Sequence, residues 1–281
     1  MFERIKKGWE ITKQSFGIIK KDKEILVFPI LEIVFQIILL ILFVVVLLVG
    51  GIWASIASKN FGDVLIYIIS LIYLFFLYFT GIFFQAAIIS SASIRLSGKN
   101  PSLGNGLKGP SKKILKLFFW AIITTVVSII LNLISKLGKG KGRGAEIASE
   151  VSSGILGVTW SLLTFFVIPV LLFEKEGVFS SIGRSGRLFK ETWGENLTAQ
   201  FSIGGIFFLL GLIGIIPLIL GIISGSIGIL VGFILLFLLY IGILVVFATS
   251  VKGILVATLY RYAITKKEPK VYKERVGELF G

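Results

Sequence analysis

The chain has 281 residues, of which 56% are hydrophobic and 16% charged, and carries a net charge of +14. A mean hydropathy of +0.97, with the apolar residues gathered in long runs, excludes an ordinary soluble domain. The absence of Cys excludes disulfides, thiolate metal sites and cysteine nucleophiles, and the absence of His removes the commonest general base and metal ligand.

Residues 2–20 open the chain with Phe2, Ile5, Trp9, Thr12, Phe16 and Ile19 at helical spacing opposite Arg4, Lys7, Glu10 and Gln14. This pattern predicts an amphipathic helix in the membrane interface. Asp22 is placed to cap the next helix. The run Ile25–Gly50 is a first span, retained because it is too long for a signal-peptide core and no small-residue cleavage site follows. A turn is expected at Gly51–Asp63, then a long, tilted second span at Val64–Ile94. In the connector Arg95–Pro110 a short helix is expected to start at Asn100-Pro101 and end at Gly109-Pro110. The third span is Lys112–Ser135, the loop Lys136–Gly144 is basic and Gly-rich, and the fourth span is Ile147–Phe173, with Pro169 near its end.

The stretch EKEGVFSSIGRSGRLFKETWGEN (Glu174–Asn196) places Phe179, Ile182, Gly186, Phe189 and Trp193 on one helical face, with Arg184, Arg187 and Glu191 pointing the other way. It reads as a second amphipathic elbow, stopped by Gly194 and followed by a cap at Asn196. A fifth span at Leu197–Ile223, a tight turn at Ser224–Ser226 and a sixth span at Ile227–Tyr262 precede a basic tail.

The fold class predicted is therefore an all-α integral membrane protein with six transmembrane helices in three hairpins and amphipathic interfacial elbows. The order elbow, span, turn, span occurs at 1–98, 99–176 and 177–281. An even number of spans per unit would make these copies parallel pseudo-repeats within a single membrane domain, 1–281; three hairpins built under the same constraints are the plain alternative. Most of the 29 Lys and Arg residues fall in the N-terminal segment, the connector, the elbow and the tail. Only Lys59, Lys136, Lys139, Lys141 and Arg143 lie on the opposite side. This excess predicts cytoplasmic termini and a cell-membrane location, with the basic third loop as the discordant piece. Basic residues spread over short segments meet anionic headgroups rather than nucleic acid.

Two groups of residues are candidates for function. Ser181, Arg184, Arg187, Lys190 and Trp193 on the elbow combine a hydroxyl, cations and an aromatic anchor at headgroup level, a set suited to lipid phosphate; a solvated helix face is the bland alternative. Glu32 and Lys252 are the charged residues well inside spans, with Gln36 one turn from Glu32 and Gln85 at comparable depth. They form either a polar site for a substrate or ion, or a structural ion pair beside a snorkelling lysine. Gly221-x-x-x-Gly225 and Gly228-x-x-x-Gly232 are small-residue packing motifs, expected to close the last hairpin rather than to form a dimer face. The GKGKGRG run lacks the strand and Ser/Thr of a P-loop.

The segment FFVIPVLLFEKEGVFSSIGRS resembles a pattern in a broad prokaryotic membrane family: a Pro-containing span, an acidic residue, a Gly, then an amphipathic helix bearing Arg and Ser. The opening GWEITKQSFGIIKKDKEILVFPILE is similar to an uncharacterised branch of that group, akin to the membrane domain that accompanies some glycerophosphodiester phosphodiesterases. The resemblance implies a multi-helix fold with elbows. It implies no catalysis, because the soluble phosphodiesterase domain is absent. The expectation is a non-catalytic, lipid-interacting scaffold or accessory protein without cofactor or metal. Its partners would be membrane lipids, with a membrane-protein partner or a homo-oligomer as a further option. The rival is a transporter or channel using Glu32 and Lys252.

Overall fold

The computed structural model describes residues 13, 15–56, 59–193 and 198–266, with side chains at 13, 15–50, 62–191 and 205–266. Most of the expected first elbow, Gly194, Asn196, the side chain of Trp193 and most of the tail lie outside the described residues. Among the described residues the chain is helical and contains no strand. A 3-10 turn at Lys23–Leu26 leads into α1 (Val27–Ile56) and α2 (Lys59–Leu96). The short α3 (Leu103–Lys112) precedes α4 (Ile114–Lys136), α5 (Arg143–Leu163), α6 (Val167–Phe173) and α7 (Val178–Trp193). The chain then forms α8 (Thr198–Ile213), α9 (Ile215–Ile223) and α10 (Ile227–Thr265).

Among the described residues six helical segments are long and apolar enough to cross a membrane: Lys23–Gly50, Gly62–Leu96, Ile114–Lys136, Arg143–Phe173, Gly205–Ile223 and Ile227–Thr265. Large apolar side chains such as Ile41, Leu48, Leu133, Ile155 and Leu235 are exposed along them. Each would forgo about 1.5–3 kcal/mol of burial in water, so lipid is the solvent these surfaces fit.

Four local expectations need correction. The turn at Gly51–Asp63 is largely helical, since α1 runs to Ile56 and α2 starts at Lys59. The short helix α3 passes through Pro110 to Lys112 rather than ending at Gly109-Pro110. The fourth span is broken at residues 164–166 and the fifth at Gly214. Asp22 precedes the 3-10 turn but makes no side-chain cap. The two breaks share one cause. Pro169 and Pro217 each stand third in the short helix that restarts after the break. Proline has no N–H and its ring clashes with the carbonyl four residues back, so a continuous helix is costly while a proline in a first turn is tolerated.

Contacts group the chain into two compact units. The first comprises Met1–Ile30, Ile88–Gly106 and Lys190–Gly281. Its core includes Ile18, Ile25, Phe28, Ile89, Ala92, Ile254 and Leu259. α2 and α10 pack tightly at Gly253, where a methyl would lie 2.3 Å from Ile88 Cγ2. The last turn of α2 ends on Gly98 at φ +83°, with Gly98 N–H bonded to Arg95 O and Lys99 N–H to Ile94 O. This is a Schellman motif, which satisfies carbonyls that the helix end leaves open.

The second unit comprises Leu31–Ala87 and Leu107–Phe189. Within it α4 and α5 pack along each other, and Trp120 stacks on Trp160 at 5.9 Å between ring centroids. Leu117, Ala121, Phe166, Val170, Leu171 and Leu188 are buried.

Candidate functional site

The helix expected over the elbow is present as α7, but the face it buries is not the one its apolar residues mark. Ser181, Ser185 and Leu188 are buried, Ile182 and Phe189 half-buried, and Phe179 is 79% exposed. The packed face is thus turned toward the small serines, which let the helix approach its neighbours closely. Gly186 lies against Leu163, where a methyl would come to 3.2 Å from Leu163 Cδ2. The Ser181 hydroxyl donates to Gly177 O at 2.6 Å, so this residue is turned inward and away from any headgroup. The Ser185 hydroxyl accepts the Phe166 N–H at 2.9 Å.

The cations divide by position. Arg184 is half-buried and its Nε donates to Glu174, 3.1 Å from Oε2 and 3.4 Å from Oε1, across the α6–α7 connector. Lys116 Nζ on α4 donates to Glu176 O in the same connector. Arg187 and Lys190 are exposed. Phe179, Gly183, Arg187 and Lys190 therefore share the outward face of α7, at the offsets that bring helix residues into register.

The intramembrane polar residues are placed as follows. Gln36 Nε2 donates to Glu32 Oε1 at 3.2 Å. Gly81 on α2 faces this carboxylate: a methyl there would lie 3.4 Å from Glu32 Oε1. Gln85 follows Gly81 by one turn and is half-buried. Lys252 is exposed between the buried Val251 and Gly253. Among the described residues no cluster of three or more acidic side chains able to hold a metal ion occurs.

Three polar contacts had no counterpart in the sequence reading. Arg95 forms a two-pronged ion pair with Asp22, Nε to Oδ2 and Nη2 to Oδ1. A fork of this kind is geometrically specific, and it ties the 3-10 turn to the end of α2. Arg261 Nη1 donates to Ser97 Oγ at 2.9 Å beside it. Tyr240 Oη donates to Leu210 O at 2.7 Å, the carbonyl released because Gly214 N–H turns to Gly211 O. The glycine motifs also separate. Gly221 packs on Phe233 and Leu230, and Gly225 takes φ +65° in the turn, whereas Gly232 has open space around it.

Among the described residues, six helices long and apolar enough to cross a membrane, with exposed apolar surfaces, mark the class of a multi-pass α-helical membrane protein. A family model matches residues 64–269, and the chain belongs to that family, described as a family of unknown function (DUF6159). No curated protein and no solved structure matches the chain. The likeness to the membrane domain of glycerophosphodiester phosphodiesterases accordingly rests on the two sequence signatures alone.

Proposed function

We propose that this protein is a non-catalytic scaffold or accessory protein of the cell membrane, with three span pairs joined by interfacial elbows, that engages anionic lipid headgroups through α7. The observation that carries this reading is the outward face of α7, where exposed Phe179 stands with the exposed cations Arg187 and Lys190. An aromatic that prefers the acyl boundary beside cations that prefer phosphate is the composition of an interfacial helix. The succession of a short helix and two spans, α3 then α4 and α5–α6, α7 then α8–α9 and α10, supports the repeat reading. The charge distribution supports cytoplasmic termini. Partners beyond lipid, including a second copy of the chain, stay within this proposal as accessory roles.

The transporter reading draws on one observation, the Glu32–Gln36 pair facing Gly81. Lys252 does not strengthen it. It lies 25 residues along α10 from Ile227, or ~37 Å at 1.5 Å per residue, against a hydrocarbon core of ~30 Å. An exposed lysine at that position reaches the headgroups and needs no buried counterion.

Purification from mixed-lipid membranes tests the two readings together. Arg187→Glu with Lys190→Glu should reduce co-purifying anionic phospholipid severalfold, while Glu32→Gln leaves it unchanged and leaves ion flux in liposomes at background. Flux that disappears on Glu32→Gln, with lipid retention unaffected by the double charge reversal, would replace the scaffold by the transporter.

A further inference from the structure

We propose that anionic phospholipid bound at α7 controls the conformation of the break in the fourth span, with Ser185 as the link. The proposal rests on the reading of α7 as a headgroup-engaging helix and adds what that engagement moves.

α7 lies directly across the break. Gly186 meets Leu163, the Phe189 ring meets Phe165 edge-on at 6.2 Å, and Ser185 Oγ accepts the N–H of Phe166. Three residues of one helix thus cover Leu163, the last residue of α5, and Phe165 and Phe166 in the break. The backbone there has two ways to bond. As it stands, Phe165 N–H reaches Leu162 O at 3.3 Å and Val167 N–H reaches Thr164 O at 3.0 Å, while Phe166 N–H leaves the helix ladder for Ser185. Were α5 to continue by one further turn, Phe166 N–H would return to Leu162 O, its partner four residues back, before the point at which Pro169 interrupts the ladder. Phe166 and Ser185 are both wholly buried, and a buried N–H must be bonded in either arrangement. A displacement of α7 by about an ångström takes the 2.9 Å bond beyond hydrogen-bonding range and favours the other arrangement.

The lever for that displacement is beside the link in sequence. Arg184 and Arg187 flank Ser185 and Gly186. Arg184 is held to Glu174 through Nε, and a phosphate is a strong competitor for a guanidinium. Recruitment of Arg184 and Arg187 to phosphate therefore pulls on the residues that cover the break. Such a local electrostatic event acting on an element with two bonding states is how ligand switches work in general.

Backbone hydrogen exchange on the full chain in vesicles tests this, comparing pure phosphatidylcholine with mixtures containing increasing phosphatidylglycerol. Amides in 162–168 should exchange at different rates in the two lipids, and Ser185→Ala should raise their exchange roughly 10-fold and abolish the lipid difference. Ser185→Thr, which keeps the hydroxyl, should retain the difference, and Arg187→Glu should hold 162–168 at the pure-phosphatidylcholine rate. Protection in 250–263 verifies that each variant is folded. If amides in 178–193 respond to phosphatidylglycerol but 162–168 do not, or if the response survives Ser185→Ala, the coupling is wrong while the headgroup reading stands. If 178–193 fails to respond at all, the headgroup reading falls and the coupling with it.

Discussion

The fourth and fifth spans break for the same reason and are mended differently. In each, a proline three residues into the restarting helix makes continuity costly. At residues 164–166 the displaced group is a donor, Phe166 N–H, and its acceptor is a serine on α7. At Gly214 the displaced group is an acceptor, Leu210 O, and its donor is Tyr240 on α10, the helix that α8 and α9 pack against. The second repair stays within a packed pair of spans and holds a shape. The first reaches outside the span to α7, which carries Arg184, Arg187 and Lys190, and this is the connection that the proposed coupling to lipid uses. A proline break in a membrane span is informative chiefly through the identity of the side chain that mends it.

Substitutions at the two repairs should separate these roles. The largest effect is expected at Gly214→Ala, because the added methyl would lie 2.7 Å from Tyr240 Cδ1 and Cε1. Overpacking of this kind costs up to about 3 kcal/mol, measurable as a lowered midpoint in detergent-driven unfolding. Ser185→Ala leaves a buried N–H without the acceptor the serine supplies and should cost about 2 kcal/mol, with the loss concentrated in α5–α7. Tyr240→Phe should cost least, about 0.6 kcal/mol, the average of side-chain hydrogen bonds within membranes, and should leave 162–168 untouched. A Tyr240→Phe effect larger than that of Ser185→Ala would invert the comparison.

The sequence made the spans legible because a bilayer demands a long apolar run and little else resembles one. It also located α7, whose observed bounds Val178–Trp193 fall inside the stretch Glu174–Asn196, since 3.6-residue periodicity survives in a sixteen-residue helix. The breaks were marked by Pro169 and Pro217 but displaced, because a proline disrupts the turn before it rather than its own position. The apolar pattern misplaces the buried face of α7 for a different reason. Ser181 and Ser185 count as polar by composition, yet small hydroxyl residues bonded to nearby backbone pack well inside. Their position on the face of Leu188 was the available signal. Nothing local encodes the Asp22–Arg95 fork, whose partners are 73 residues apart, or the meeting of Gly81 with Glu32. Long-range pairing of that kind is settled by packing, and periodicity carries no record of it.

The position of α7 relative to lipid decides its role, and the absence of cysteine from the chain makes that position directly measurable. Phe179→Cys carrying a single fluorophore, reconstituted in vesicles, can be quenched by nitroxides placed on lipid headgroups, deep in the acyl chains, or in water. Quenching strongest from the headgroup and upper acyl positions, with Arg187→Glu weakening it, is the predicted result. A label quenched only from water would contradict the interfacial role of α7 and remove the basis for its control of the fourth span.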